Sequence, residues 1–239
     1  MFDEYRDQLR REAIAEFPNE AVWLITPGEC RLVKNIADDP AKTFRVDKRT
    51  MAAAHARGLL AVVHSHPNFP ACPSAADMQG QASTGVPWGI VATDGNTAQD
   101  VVWFGDAVEV PPLIGRGFRH GVTDCYALIR DYYRLELGIT LPIGARSWEW
   151  WLSGEDLYTD NFGPAGFHRI EAHEAKPGDV WLAQIRSPVP NHGGVLLENG
   201  LGLHHPCARE PVDPSRLSMR EPLARWQTFI THWLRHESR

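Results

Sequence analysis

The order of apolar and polar residues along this chain alternates between helical spacing and short apolar runs, which predicts helices mixed with strands. The first residues have apolar positions near helical spacing with charges between them, so we expect an amphipathic helix that Pro18 stops. The predicted helices are 3–17, 47–57, 74–81, 124–137, 147–152 and 221–235. The predicted strands are 21–26, 31–35, 59–63, 88–93, 100–104, 179–185, 194–197 and 201–205.

The segment Gly105–Gly117 contains two adjacent prolines and few helix formers, which is typical of a linker. The 239 residues are long enough for two domains, each with its own core. We therefore predict domains over 1–108 and 113–239, and an α+β fold class for the whole chain.

Composition excludes several classes of function. The formal net charge of −6 argues against nucleic-acid binding, which requires clustered Lys and Arg, and against an anionic membrane surface. No apolar stretch is long enough for stable membrane insertion, and the first residues lack the basic and apolar regions of an export signal. We expect a protein made in the cytoplasm, with its four cysteines as free thiols.

The first group of chemistry-bearing residues is His64-Ser65-His66, followed by Asp77. His64 and His66 alternate along an extended segment, so both imidazoles leave the same face. Asp77 lies in the first turn of the next predicted helix, where its carboxylate can be a third ligand. Three such ligands leave the fourth tetrahedral position of a zinc ion open for water, as a catalytic site requires.

Two further residues complete this predicted hydrolase site. A carboxylate must shuttle the proton of the attacking water, and Glu20 at the start of the first strand is the candidate. Ser74 is the candidate hydrogen-bond donor to the developing oxyanion. The alternative interpretation is a pair of hydrogen-bonded histidines, with Ser74 as an ordinary helix cap.

This motif resembles the JAMM signature of the JAB/MPN metallopeptidases, and the resemblance covers roughly the first 105 residues. It implies an MPN-type α/β zinc hydrolase domain in which the two histidines and the aspartate bind Zn²⁺. It also implies Glu20 as the general acid/base. Glu16 and Glu29 are weaker alternatives for that role.

The second group begins at Cys125, at the start of a predicted helix, where amide N–H groups and the helix dipole are expected to stabilise a thiolate. His192 precedes one apolar strand and His204 ends the next, so a hairpin can place them side by side. His192 would then be the base and His204 the residue that orients it. His205 is the rival to His204, although alternation puts it on the opposite face. The alternative for Cys125 is a buried apolar residue.

The order and spacing of these residues resemble the NlpC/P60 cysteine peptidases over about residues 112–239. The segment Gly121-Val122-Thr123-Asp124-Cys125 especially resembles the branch found in phage tails. The resemblance implies a papain-like NlpC/P60 α+β domain that cleaves stem peptides. In this interpretation Asp124 is a helix cap, and Cys30, Cys72 and Cys207 are inert thiols.

A zinc centre followed by a thiol centre in one chain resembles tail-tip proteins of lambda-like phages. That resemblance implies assembly with other phage tail tip proteins in the host cytoplasm and a final position at the tail tip of the virion. It also implies peptidoglycan stem peptides as substrate. One alternative is an assembly protein whose sites are vestigial or serve maturation only. Another is a cytosolic deubiquitinase-like enzyme, in which the cysteine half has no place.

Overall fold

The computed structural model describes residues 1–239, which form two compact units, residues 1–73 with 79–109 and residues 74–78 with 110–239. The helices are α1 (Arg6–Glu16), α2 (Lys48–Ala56), α3 (Ala75–Thr84), α4 (Cys125–Leu137) and α5 (Leu157–Asn161). The strands are β1 (Val22–Thr26), β2 (Glu29–Val33), β3 (Ala61–Pro67), β4 (Trp88–Thr93), β5 (Val102–Phe104), β6 (Gly117–Arg119), β7 (Phe167–Ile170), β8 (Val180–Ala183), β9 (His192–Leu196), β10 (Leu201–His204), β11 (Val212–Leu217), β12 (Met219–Pro222) and β13 (Ile230–His236). Single turns of 3-10 helix lie at Asp3–Tyr5, Trp150–Leu152, Ala172–Glu174, Glu198–Gly200 and Leu223–Arg225.

The first unit is built on a five-stranded sheet in the order β2-β1-β3-β4-β5. Only the β3–β4 pair is parallel, and the other pairs are antiparallel. Strand β1 is buried along its whole length, as expected for an uninterrupted apolar run. Leu9 and Ala13 of α1 pack against the same core cluster as Trp23. Trp23 Nε1 donates a hydrogen bond to Glu12 Oε2 at 2.6 Å, so the helix is also held by a polar contact.

Two local features of this unit follow from single residues. The β1–β2 hairpin turns at Pro27-Gly28, where Gly28 has a φ of 77° that side chains with a Cβ rarely adopt. Helix α2 begins as predicted, because the Asp47 carboxylate accepts hydrogen bonds from the amides of Arg49 and Thr50. Strand β3 is longer than the predicted 59–63, so His64 and His66 lie within the strand and not beyond its end.

The second unit contains a six-stranded sheet in the order β12-β10-β9-β8-β13-β7 and a two-stranded ribbon of β11 and β6. Helix α4 supplies Ile129 and Tyr133 to a core that includes Leu182 and Val195 of the sheet. The helix begins after Asp124, whose side chain accepts from the Ala127 amide, and ends at Gly138 in the left-handed conformation.

The predicted C-terminal helix over 221–235 is wrong. This segment contains the end of β12, a 3-10 turn and most of β13. Strand β13 is hydrogen-bonded on both edges, to β7 and to β8. Its apolar positions also fit helical spacing, but pairing with two distant strands outweighs that weak local preference. The predicted helix over 147–152 is limited to one 3-10 turn, and β6, β7, β11 and α5 had not been predicted.

None of the helices combines the length and the apolar character that crossing a bilayer requires.

Candidate metal and thiol centres

The first candidate centre is formed by His64, His66 and Asp77. The three residues are buried, and one ligand atom of each lies within 4.8 Å of the others. Strand β3 holds the two histidines between β1 and β4, where His64 pairs with Val22 and with Ile90. Their Nε2 atoms are 3.0 Å apart. Two nitrogens bound to one tetrahedral zinc ion would lie roughly 3.3 Å apart, so this spacing fits a shared ion.

The contact of His66 with the backbone also suits metal binding. Its Nδ1–H donates to the carbonyl of Pro70 at 2.9 Å, since a carbonyl can only accept. This bond places the proton of a neutral ring on Nδ1 and leaves the Nε2 lone pair for a ligand role. Metal-binding histidines are commonly oriented by such a bond. The donor set therefore fits Zn²⁺.

The Asp77 carboxylate is positioned by the residue that precedes helix α3. The amide and the hydroxyl of Ser74 both donate to Asp77 Oδ2, at 2.8 and 2.7 Å. The hydroxyl has a single proton and uses it here, so Ser74 acts on the carboxylate in this structure. Its role as oxyanion donor stays a prediction, and it would require the hydroxyl to rotate.

Glu20 is buried at the end of β1 nearest to this centre. The β1–β3 pairing ends at Val22 and His64, and beside it the Ala21 amide donates to Ser65 Oγ at 2.8 Å while the Ser65 amide donates to the Ala21 carbonyl at 2.9 Å. Glu20 lies two residues before β1, and its role as general acid/base stays a prediction.

The thiol centre starts from a buried ion pair. Asp124 accepts two hydrogen bonds from Arg146 Nη2, at 2.6 and 2.8 Å, and both side chains are almost fully buried. Burial alone would raise the pKa of the Asp124 carboxyl. The charges of Arg146 and His120, with the Ala127 amide, outweigh it and hold that pKa well below its usual range. Asp124 is thus an ionised helix cap, and nothing places it as a proton donor.

Cys125 follows this cap, and its sulfur lies 3.3 Å from the hydroxyl oxygen of Tyr158. Burial, with the neighbouring Asp124 charge, raises the pKa of the Cys125 thiol to about 11. The structure differs from the expectation of a stabilised thiolate, because burial and the Asp124 charge outweigh the favourable contributions of Tyr158, Arg146 and the Gly193 backbone. The resting group is a thiol that needs a base during attack.

A chain of hydrogen bonds leads away from His192 through the sheet. His192 Nε2 and His204 Nδ1 are 3.0 Å apart, and His204 Nε2 lies 2.9 Å from Glu221 Oε1. Burial lowers the pKa of both imidazoles, and for His192 the neighbouring His204 adds to the effect. Each ring therefore carries one proton at neutral pH. Because the Glu221 carboxylate only accepts, the protons lie on His204 Nε2 and His192 Nε2.

This arrangement leaves the Nδ1 lone pair of His192 as the proton acceptor of the chain. The sulfur of Cys207 lies 3.5 Å from it. No hydrogen bond joins Cys125 to His192, although the Gly193 amide next to this histidine contributes to the pKa of Cys125. Cys125 therefore lies close to the residue that follows His192, while its own hydrogen bond is to Tyr158.

An apolar cavity of about 370 Å³ opens beside the two thiols. Cys125 and Cys207 both line it. Its aromatic wall consists of Phe118, Tyr126, Trp148, Trp150, Trp151, Tyr158, Phe162 and Phe167. Such a wall suits a ligand with apolar surface and a few polar groups.

Sequence reasoning missed four residues of this centre. Glu221 lay in a segment assigned to a helix, so its face could not be derived. Cys207 was read as an inert thiol. Arg146 and Tyr158 stand in stretches without a recognisable motif. His205, the rival of His204, has a different partner. Its Nε2 atom lies 2.9 Å from the backbone carbonyl oxygen of Arg116.

Comparison with known proteins places this chain in a family. Tail tip assembly protein K of Escherichia phage lambda is 38% identical over 181 residues, which cover 75% of this chain and 83% of that protein. The chain belongs to the tail tip assembly protein K family. A second member, tail tip assembly protein K of Escherichia phage N15, is 30% identical over 212 residues, covering 83% of each protein.

Two family models match the chain, one over the part that holds the metal centre and one over the part that holds the thiol centre. The model of prokaryotic homologs of the JAB domain matches residues 2–104, and that of the NlpC/P60 family matches 115–232. Both are peptidase-type families, and the two-domain α+β fold class is confirmed. Among solved structures, an NlpC/P60 family protein from Bacillus cereus aligns at 13% identity and a TM-score of 0.33, covering 95% of this chain and 66% of that chain.

Proposed function

We propose that this chain is assembled into a phage tail tip and carries two peptidase centres directed at peptides of peptidoglycan. The tail assembly role is inferred from the names of its two relatives. The enzymatic part depends on one observation above all: buried His64, His66 and Asp77 bring three ligand atoms within 4.8 Å of one another. Burying such groups together is costly unless they bind an ion or one another.

In the zinc half, His64, His66 and Asp77 would hold the ion. Bound there, Zn²⁺ would polarise a substrate carbonyl and lower the pKa of bound water to about 7. Ser74 keeps the Asp77 carboxylate oriented through its two hydrogen bonds. Glu20, which is buried two residues before β1, would take the proton of the attacking water and deliver it to the leaving amine. An isopeptide or crosslink is the expected target.

In the thiol half, Cys125 would attack a stem-peptide carbonyl and give its proton to His192 Nδ1. The Glu221–His204 pair presents this nitrogen unprotonated. Tyr158, whose phenol pKa burial raises well above its usual value, keeps its proton and would donate to the developing sulfur charge. The aromatic cavity would bind the acyl part of the substrate. The bond cleaved would lie within the stem peptide, near γ-linked D-glutamate.

The test is incubation of the purified full chain with defined muropeptides, with and without a chelator and a thiol blocker. We expect His66→Ala to lose stoichiometric zinc and chelator-sensitive cleavage. The control His55→Ala, an exposed histidine outside the cluster, should keep both. Cys125→Ala should lose thiol-sensitive cleavage, while Cys30→Ala keeps it. Unchanged release of soluble peptides by Cys125→Ala would contradict the thiol assignment.

A second candidate is an assembly protein whose sites do no chemistry. The raised pKa of Cys125 and its lack of a hydrogen bond to His192 favour this alternative for the thiol half. A wild-type chain without zinc, inactive on every muropeptide and still competent in tail assembly, would support it.

A further inference from the structure

The chain of hydrogen bonds from Glu221 ends at a thiol that the proposed peptidase reaction does not use. Glu221 accepts from His204, His204 accepts from His192, and the remaining lone pair of His192 faces Cys207. The proton order leaves the Cys207 S–H as the donor to His192 Nδ1. Thiol, imidazole and carboxylate thus stand in the sequence that activates a nucleophile.

Cys207 can also be reached. It is only half-buried and lines the cavity of about 370 Å³ together with Cys125. Cys30 offers a contrast, since it is buried in the core cluster of the other unit. A small electrophile that enters the cavity therefore meets a sulfur that already contacts its base.

We propose that Cys207 is a second reactive thiol and a site of S-thiolation by low-molecular-weight disulfides. In the reaction the Cys207 sulfur attacks one sulfur of the disulfide, the S–S bond breaks, and a thiolate leaves. His192 takes the Cys207 proton and passes it to the leaving thiolate. The products are a mixed disulfide on Cys207 and one free thiol, with no further oxidant needed.

The proposal builds on the assignment of His192 as a base and adds a consequence for the same site. A mixed disulfide at Cys207 removes the S–H that contacts Nδ1 and places a substituent in the cavity beside Cys125. S-thiolation would then block access of substrate to Cys125, so that one histidine serves two competing thiols.

The proposed mechanism predicts how the rate of Cys207 modification depends on pH. Burial, with the Cys125 charge next in importance, raises the pKa of the Cys207 thiol to about 12. A preformed thiolate is therefore scarce, and reaction through it would speed up about tenfold per pH unit. Reaction assisted by neutral His192 does not change with pH as long as the imidazole stays unprotonated.

The experiment treats the full-length chain with glutathione disulfide and follows each cysteine by peptide mass spectrometry. We expect Cys207 to be modified at least tenfold faster than half-buried Cys72 and at a rate that varies less than threefold between pH 6.5 and 8. His192→Asn should lower the Cys207 rate at least tenfold. Loss of Cys207 modification in Cys125→Ala would show transfer through Cys125 and would overturn the proposal.

A Cys207 rate no higher than that of Cys72, or one that rises tenfold per pH unit, would overturn the proposal. The pH dependence of the Cys207 modification rate in the wild-type chain tests the proposal even if His192→Asn fails to fold. The readout needs no peptide cleavage, so a chain inactive on muropeptides still tests the chemistry of Cys207 separately from the peptidase proposal.

Discussion

Replacing Arg146 by Met tests how much of the second unit depends on one buried ion pair. The substitution puts an unbranched apolar side chain of similar length in place of Arg146 and so removes the guanidinium charge. It leaves the Asp124 carboxylate, whose side chain is 5% exposed, without three hydrogen bonds from Arg146, two from Nη2 at 2.6 and 2.8 Å and one from Nε at 3.2 Å. The hydrogen bonds from the amides of Gly121 and Ala127 remain but carry no charge, and the pKa of nearby His120, 3.6 Å away, is lowered by burial, so this imidazole is neutral at pH 7.

Removing one partner of a buried pair costs about 3–5 kcal/mol, because the other charge remains desolvated. We expect the free energy of unfolding of this unit to fall by that amount at pH 7. The matched control is Arg225→Met. Arg225 also contacts a carboxylate at 2.8 Å, that of Glu221, but its own side chain is 71% exposed. An exposed pair contributes about 0–1 kcal/mol.

The stability difference between Arg146→Met and the wild-type chain should depend on pH. The folded pKa of Asp124 lies below its unfolded value of about 3.9, so the stabilisation is present above that pH and is lost as pH falls below it. In Arg146→Met, burial raises the folded pKa of Asp124, so the variant gains relative stability in acid. The difference between variant and wild type should therefore shrink from pH 7 to pH 3.

Urea unfolding of the full-length proteins, followed by tryptophan fluorescence at several pH values, measures these differences. A loss at pH 7 no larger than that of Arg225→Met would refute the reasoning. So would a loss that is constant from pH 7 to pH 3, since it would come from packing and not from the Asp124 charge.

Three other outcomes are expected. Glu221→Gln keeps an acceptor for His204 but loses the charge, so thiol-sensitive cleavage should fall about 5-fold. Glu221→Ala leaves the His204 donor without its partner, so cleavage should fall at least 10-fold. Equal rates for the two variants in a muropeptide assay would contradict this. Because the pKa of His192 lies well below 6.5, that cleavage at pH 5.5 should exceed half its rate at pH 7.5, whereas an ordinary imidazole would be about nine-tenths protonated there. Gly194→Ala should destabilise the chain by about 1–3 kcal/mol, since its Cβ would lie 2.5 Å from both the Leu203 carbonyl oxygen and the Trp181 ring, while Gly163→Ala, with open space around it, should be near neutral in thermal unfolding.

The sequence by itself determined the features that depend on neighbouring residues. Alternation along a strand puts His64 and His66 on one face whatever surrounds them. Asp47 and Asp124 cap helices through bonds to amides two or three residues away. These interactions span less than two turns of chain, so their pattern is visible in the order of the amino acids.

Only the tertiary structure decided which distant groups meet. The contacts of Cys207 and His192, of His204 and Glu221, and of Asp124 and Arg146 join residues 15, 17 and 22 positions apart. Strand pairing also decided the conformation of 230–236, because two neighbouring strands stabilise an extended segment more than its helical spacing stabilises a helix. Burial, finally, raised the pKa of Cys125 against the helix dipole, and burial is a property of the folded chain alone.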